Sequence, residues 1–153
     1  MTYNCLGDNL YEISLTIYVD CGPSNIQGTS FDEFGTISIY NSSNNLVQEL
    51  AIENPEAFEL SDETVGNDCL ELPTDLCVLR GVYTAIVELP AIPGGYQLAY
   101  QRCCRNPSVI NINNPGDFGN TYTTNIPGSE LVSDCNSSPV SYTHLTLPTI
   151  LRV

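Results

Sequence analysis

Tyr11-Glu-Ile-Ser-Leu-Thr-Ile-Tyr-Val-Asp-Cys21 is the stretch that decides the fold. Tyr11, Ile13, Leu15, Ile17, Val19 and Cys21 alternate with Glu12, Ser14, Thr16, Tyr18 and Asp20. A two-residue period held over this length is that of an antiparallel strand with one face buried. Immediately upstream, Gly7-Asp8-Asn9 is turn chemistry, so Thr2 to Leu6 is predicted as the first arm of a hairpin.

The same alternation recurs downstream. Past the loop Gly22 to Ser30, Gly35 to Tyr40 reads as a strand with Ile37 and Ile39 on one face. Asn41-Ser-Ser-Asn-Asn45 is a polar turn, and Leu46 to Ile52 returns with Leu46, Leu50 and Ile52 in phase. From Glu53 to Asp75 the chain is acidic and irregular, with one short helical turn expected over Pro55 to Leu60. Val78 to Leu89 forms the next strand, with Tyr83, Ala85, Val87 and Leu89 in phase, and it stops at Pro90-Ala-Ile-Pro-Gly-Gly95. Tyr96 to Cys103 follows with Tyr96, Leu98 and Tyr100 on one face, then shorter strands are expected at Val109 to Ile112 and Asn120 to Ile126, either side of the turn Asn113 to Asp117. About eight strands, short turns and no amphipathic helix predict an all-β fold, an antiparallel, immunoglobulin-like β-sandwich.

Composition bounds the function. At 153 residues the chain is long enough for one domain with a real core. Acidic residues outnumber basic ones 18 to 4, and no lysine occurs. Nucleic acid is therefore a poor partner, because phosphate binding needs a basic surface. An anionic membrane surface is disfavoured for the same reason, and no apolar run approaches the roughly 20 residues of a bilayer-spanning helix.

The residues from Val140 to Val153 change character. They hold no cysteine, acid, glycine or asparagine, and Val140 to Thr149 resembles a translated sequencing adapter. We therefore expect residues 1–139 to be one β-sandwich module of a larger surface protein, and residues 140–153 to be a non-native tail. His144, the lone histidine, lies in that tail. Without it, three arginines against 18 acidic residues leave a charge of −15 and neither His nor Lys. That composition disfavours a Ser-His-Asp or Cys-His nucleophile, a His-ligated metal and a phosphate-loop lysine. No catalytic residue is expected.

Seven cysteines suit an exported chain, and the odd count fits a piece of a longer one. The disulfide candidates are Cys5, Cys21, Cys69, Cys77, Cys103, Cys104 and Cys135. A local Cys69–Cys77 bridge would staple the acidic connection. Cys21 would join Cys103 or Cys104, with Cys5 a candidate for the other, and Cys135 sits close to the tail. A vicinal bridge, zinc and redox chemistry are the alternatives. The absence of C-x-x-C and of native histidine weighs for ordinary structural disulfides.

Asp32-Glu33, Asp62-Glu63, Asn67-Asp68 and the loop Asn113 to Asn120 offer oxygen ligands of the kind calcium takes, but none has the spacing of a helical calcium loop. A solvated acidic face is the commoner role for such residues, so no metal site and no cofactor are expected. Arg102 and Arg105 are expected to pair internally with carboxylates rather than to clamp an anion. The nine tyrosines are expected mostly in the core.

Three stretches in order carry a resemblance. Tyr3-Asn-Cys-Leu-Gly-Asp-Asn-Leu-Tyr-Glu-Ile-Ser-Leu-Thr-Ile-Tyr-Val-Asp-Cys-Gly22, Tyr100-Gln-Arg-Cys-Cys-Arg-Asn106 and Cys135-Asn-Ser-Ser-Pro139 resemble the opening, the Cys-Cys-Arg-Asn signature and the closing motif of a known module. It is the N-terminal domain of large gliding-motility-associated, type IX-secreted surface proteins of Bacteroidota, and the likeness spans about residues 2–139. Val19 stands where that family often has Arg, and Tyr100-Gln-Arg replaces an aromatic-Ser pattern. The resemblance implies an extracellular, adhesin-like parent with further β modules as neighbours and surface glycans or other cells as partners. It brings no catalytic residues. The alternative is a carbohydrate-binding or accessory domain of a secreted glycan-active enzyme.

Overall fold

In the computed structural model the alternating stretch forms β2 (Leu10–Asp20), which pairs antiparallel along its whole length with β6 (Val78–Glu88). The structure describes residues 1–21, 30–53, 55, 57–60, 77–105, 109–131 and 136–137. Register runs from Leu10↔Glu88 to Asp20↔Val78 and sets odd residues against odd. Ile13, Leu15 and Val19 of β2 and Tyr83 and Val87 of β6 are thereby buried on one face, while Ser14, Thr16 and Thr84 lie on the other. β1 (Thr2–Gly7) joins β2 through Asp8 and Asn9, both at positive φ (49° and 63°), the backbone of a tight two-residue hairpin turn whose twist matches the strands.

β3 (Phe34–Asn41) and β4 (Leu46–Glu53) form a second hairpin. The Asn41 side chain closes its turn, Oδ1 accepting from the backbone N–H of Ser43 and of Asn45, each at 3.0 Å. Ile52 is buried and Leu50 packs against the core, but Leu46 is exposed, contrary to the predicted phase. The register slips by one residue between Ile39↔Gln48 and Tyr40↔Leu46, and such a slip moves the residue beyond it to the other face.

β5 (Ala57–Glu59) falls where a helical turn was predicted. The free edge of β6 overrides that local preference: Ala57, Phe58 and Glu59 pair with Gly81, Arg80 and Leu79, and the Leu60 N–H extends the ladder to the Val78 carbonyl at 2.8 Å. β7 (Tyr96–Arg102) pairs with β3 on one side and with β8 (Asn120–Ile126) on the other. The strand predicted at Val109 to Ile112 is absent. β8 takes the edge of β7 from Tyr96 to Arg102, and Ile110 is left 99% exposed with no ladder to join. The turn at 113–117 is present as a single 3-10 turn, Pro115–Asp117.

Two four-stranded antiparallel sheets result, ordered β1-β2-β6-β5 and β4-β3-β7-β8, with no α-helix among the described residues. Their inner faces share one core that includes Tyr3, Ile13, Leu15, Ile37, Ile39, Tyr83, Leu98 and Ile126. This is a β-sandwich with immunoglobulin-type strand order, one sheet holding the first, second, fifth and sixth strands and the other the third, fourth, seventh and eighth. A hallmark of that fold is present too. Tyr96, at the start of β7, donates its hydroxyl to the Pro90 carbonyl at 2.7 Å, the tyrosine corner. Gly95 beside it has φ +63°, and a Cβ there would run into the Ile126 carbonyl, so no other residue fits this corner without strain.

Candidate functional site

The hydrogen-bonded ladders of the second sheet do not all run to the same end. β3 pairs with β4 as far as Phe34↔Glu53, and β7 pairs with β8 as far as Arg102↔Asn120. Between β3 and β7, however, pairing stops at Ile37↔Tyr100. The strands part beyond that point and leave an open cleft of about 450 Å³. β3 contributes Phe34 and Thr36 to its lining, β7 and the residues that follow it contribute Tyr100 to Cys104, and Asp32 enters from the segment ahead of β3.

Asp32 organises this end of the sandwich. Its Oδ2 accepts the Tyr100 hydroxyl at 3.0 Å and lies 3.2 Å from Nε of Arg102. Its backbone carbonyl accepts the Tyr83 hydroxyl at 2.8 Å. Arg102 also donates from one terminal nitrogen to the Ser30 carbonyl at 2.8 Å. Tyr100 and Arg102 reach one carboxylate because residues two apart on a strand share a face. Burial pushes the Tyr100 hydroxyl far above the usual phenol range, and the Asp32 carboxylate adds to this by accepting its hydrogen bond and by its negative charge. Tyr83 is raised for the same first reason, burial, with the Asp32 charge second. Both phenols are held as neutral donors.

The Arg102–Asp32 contact is an internal ion pair of the kind expected for the arginines. Arg105 differs: its backbone N–H donates to the Phe118 carbonyl at 2.9 Å, while its Nε is buried with no hydrogen-bond partner among the described residues.

The cysteines are arranged differently from the predicted pairs. Cys21 bonds to Cys77, which corrects both the local Cys69–Cys77 bridge and the bridge from Cys21 to Cys103 or Cys104. The reason is register. Continuing β2·β6 one step beyond Asp20↔Val78 sets Cys21 opposite Cys77, and the Cys21 N–H donates to the Cys77 carbonyl at 2.9 Å. Cys103 and Cys104 end a strand of the other sheet and bond to each other, both exposed at the cleft. Cys5 is disulfide-bonded to a partner outside the described residues, where Cys69, Cys135 and His144 also lie.

The beginning and end of the resembling stretch meet in space. The Tyr3 hydroxyl donates to Asn136 Oδ1 at 3.0 Å, and the Cys5 N–H donates to Ser137 Oγ at 2.9 Å. For calcium, Asp62-Glu63 and Asn67-Asp68 lie outside the described residues, and Oδ2 of Asp32 is taken by Arg102 and Tyr100. Among the described residues no group of three or more His, Cys, Asp or Glu side chains converges on a metal position. Sequence reasoning placed Asp32 only in an acidic pair. Its partners stand 68 and 70 positions downstream, with no local signal linking them.

No protein-family model, curated protein or solved structure matches this chain.

Proposed function

We propose that the chain is a non-catalytic, extracytoplasmic binding module, an adhesive or structural β-sandwich of a larger surface protein. The observation that carries this reading is the set of bridges. Cys21–Cys77 ties the entry of β6 to the exit of β2, and Cys103–Cys104 is exposed at a cleft. Disulfides of both kinds persist in oxidising compartments and are rare where thiols are kept reduced. The strongly acidic charge and the resemblance to type IX-secreted surface proteins support the same reading. A second reading, an accessory domain of a secreted glycan-active enzyme, draws on the cleft between β3 and β7.

The test is thiol trapping in source cells, quenched in acid, combined with antibody labelling of the intact cells. Oxidised Cys21, Cys77, Cys103 and Cys104 and labelling without lysis are the expected result. Free thiols at these four positions, with labelling only after lysis, would overturn the proposal.

A further inference from the structure

We infer that the cleft between β3 and β7 binds a neutral saccharide. This rests on the binding-module reading and specifies its ligand. A sugar ring presents an apolar C–H face and a rim of hydroxyls that both donate and accept, so its site needs a rigid apolar surface beside fixed polar groups of both kinds.

The cleft supplies the surface twice. Phe34 is 47% exposed, and the Cys103–Cys104 bridge stands exposed at the end of β7. It also supplies the rim. Asp32 uses Oδ2 for Tyr100 and Arg102, and among the described residues no donor reaches its Oδ1, which remains an acceptor. Arg102 commits Nε to Asp32 and one terminal nitrogen to Ser30, leaving its other terminal nitrogen as a donor. Thr36, an exposed residue of the lining, brings a hydroxyl. Tyr100 and Ser30 hold the Asp32–Arg102 pair in place before any ligand arrives, which reduces the entropy cost of binding.

Charge chooses neutral over acidic sugars. Arg102 is already neutralised by Asp32, and a chain of net charge −14 without a lysine repels polyanions. A cleft of about 450 Å³ has room for one or two rings of a longer glycan. Free polysaccharide and protein-linked glycan present the same ring chemistry.

Affinity electrophoresis of the full chain tests this, in gels containing a β-glucan, xylan or galactomannan, with polygalacturonate as the acidic comparison. Retardation in at least one neutral gel is expected. Phe34→Ala, and the double variant Cys103→Ser with Cys104→Ser, should abolish it while each still melts cooperatively. Tyr18→Ala, on the outer face of the other sheet, should bind as the parent does. Three outcomes overturn the assignment: passage through every neutral gel unretarded, retardation only by polygalacturonate, or retardation that survives both cleft variants. A chain oxidised and displayed on cells yet unretarded would lose the saccharide assignment alone. Reduced cysteines inside cells would defeat the module reading instead.

Discussion

Gly35 of β3 faces Tyr83 of β6 across the sandwich so closely that a Cβ at Gly35 would lie 2.8 Å from the tyrosine ring. The missing side chain makes room for the largest fully buried residue of the core, and that ring in turn sends its hydroxyl to the Asp32 carbonyl. Gly35→Ala should therefore overpack the core and cost about 1–3 kcal/mol. Gly116→Ala, whose Cβ would meet nothing within 4 Å, should be close to neutral. Urea denaturation of the two variants is the check, and equal midpoints would contradict the close approach.

The two described bridges should differ sharply in what they stabilise. Cys21–Cys77 closes a loop of sequence separation 56, so replacing both residues by serine should cost about 4 kcal/mol through the unfolded chain's regained freedom. Cys103–Cys104 joins neighbours and closes almost no loop. Its double serine variant should melt within a few degrees of the parent by calorimetry.

Tyr96→Phe removes the hydroxyl that ties the start of β7 to the Pro90 carbonyl of the β6–β7 connection and leaves that acceptor without its donor. A loss of about 1–3 kcal/mol is expected. Tyr122→Phe, at a half-exposed ring, serves as the comparison and should fall within about 0.5 kcal/mol of the parent.

Alkaline pH should weaken the fold through Tyr100. In the unfolded chain its hydroxyl ionises near 10.0, whereas in the fold burial and Asp32 keep it protonated to higher pH. Above pH 10 the unfolded state binds fewer protons than the native state, so stability is complete below that value and falls as pH rises through it. Tyr100→Phe should be less stable at neutral pH by about 1–2 kcal/mol, from the lost hydrogen bond, and should show a shallower alkaline decline. Free energies of unfolding measured across that range decide it. An unchanged alkaline slope would remove Tyr100 as a cause.

The sandwich was legible in the chain because a strand with one buried face writes its period of two directly into the residues. Ile13 to Val19, Ile37 with Ile39, Tyr83 to Leu89 and Tyr96 to Tyr100 all lie on the predicted faces. The Cys21–Cys77 bond was within reach of the same reasoning, since both cysteines continue the odd-numbered phase of paired strands. Pairing between strands more than fifty residues apart, however, leaves no local mark in the chain. β5 and the slip at Leu46 escaped for a related reason, each being set by the strand edge it meets rather than by its own residues.

What the chain determined alone is its class: one-sided strands, turns placed by Asp8-Asn9 and Asn41, an acidic surface and an abundance of cysteine. What only the tertiary structure decided is the candidate site. Asp32, Tyr100 and Arg102 become neighbours when β3 and β7 pair up to Ile37↔Tyr100 and then part. Local alternation follows from backbone geometry and needs only adjacent residues, whereas a cleft is defined by where a long-range ladder stops.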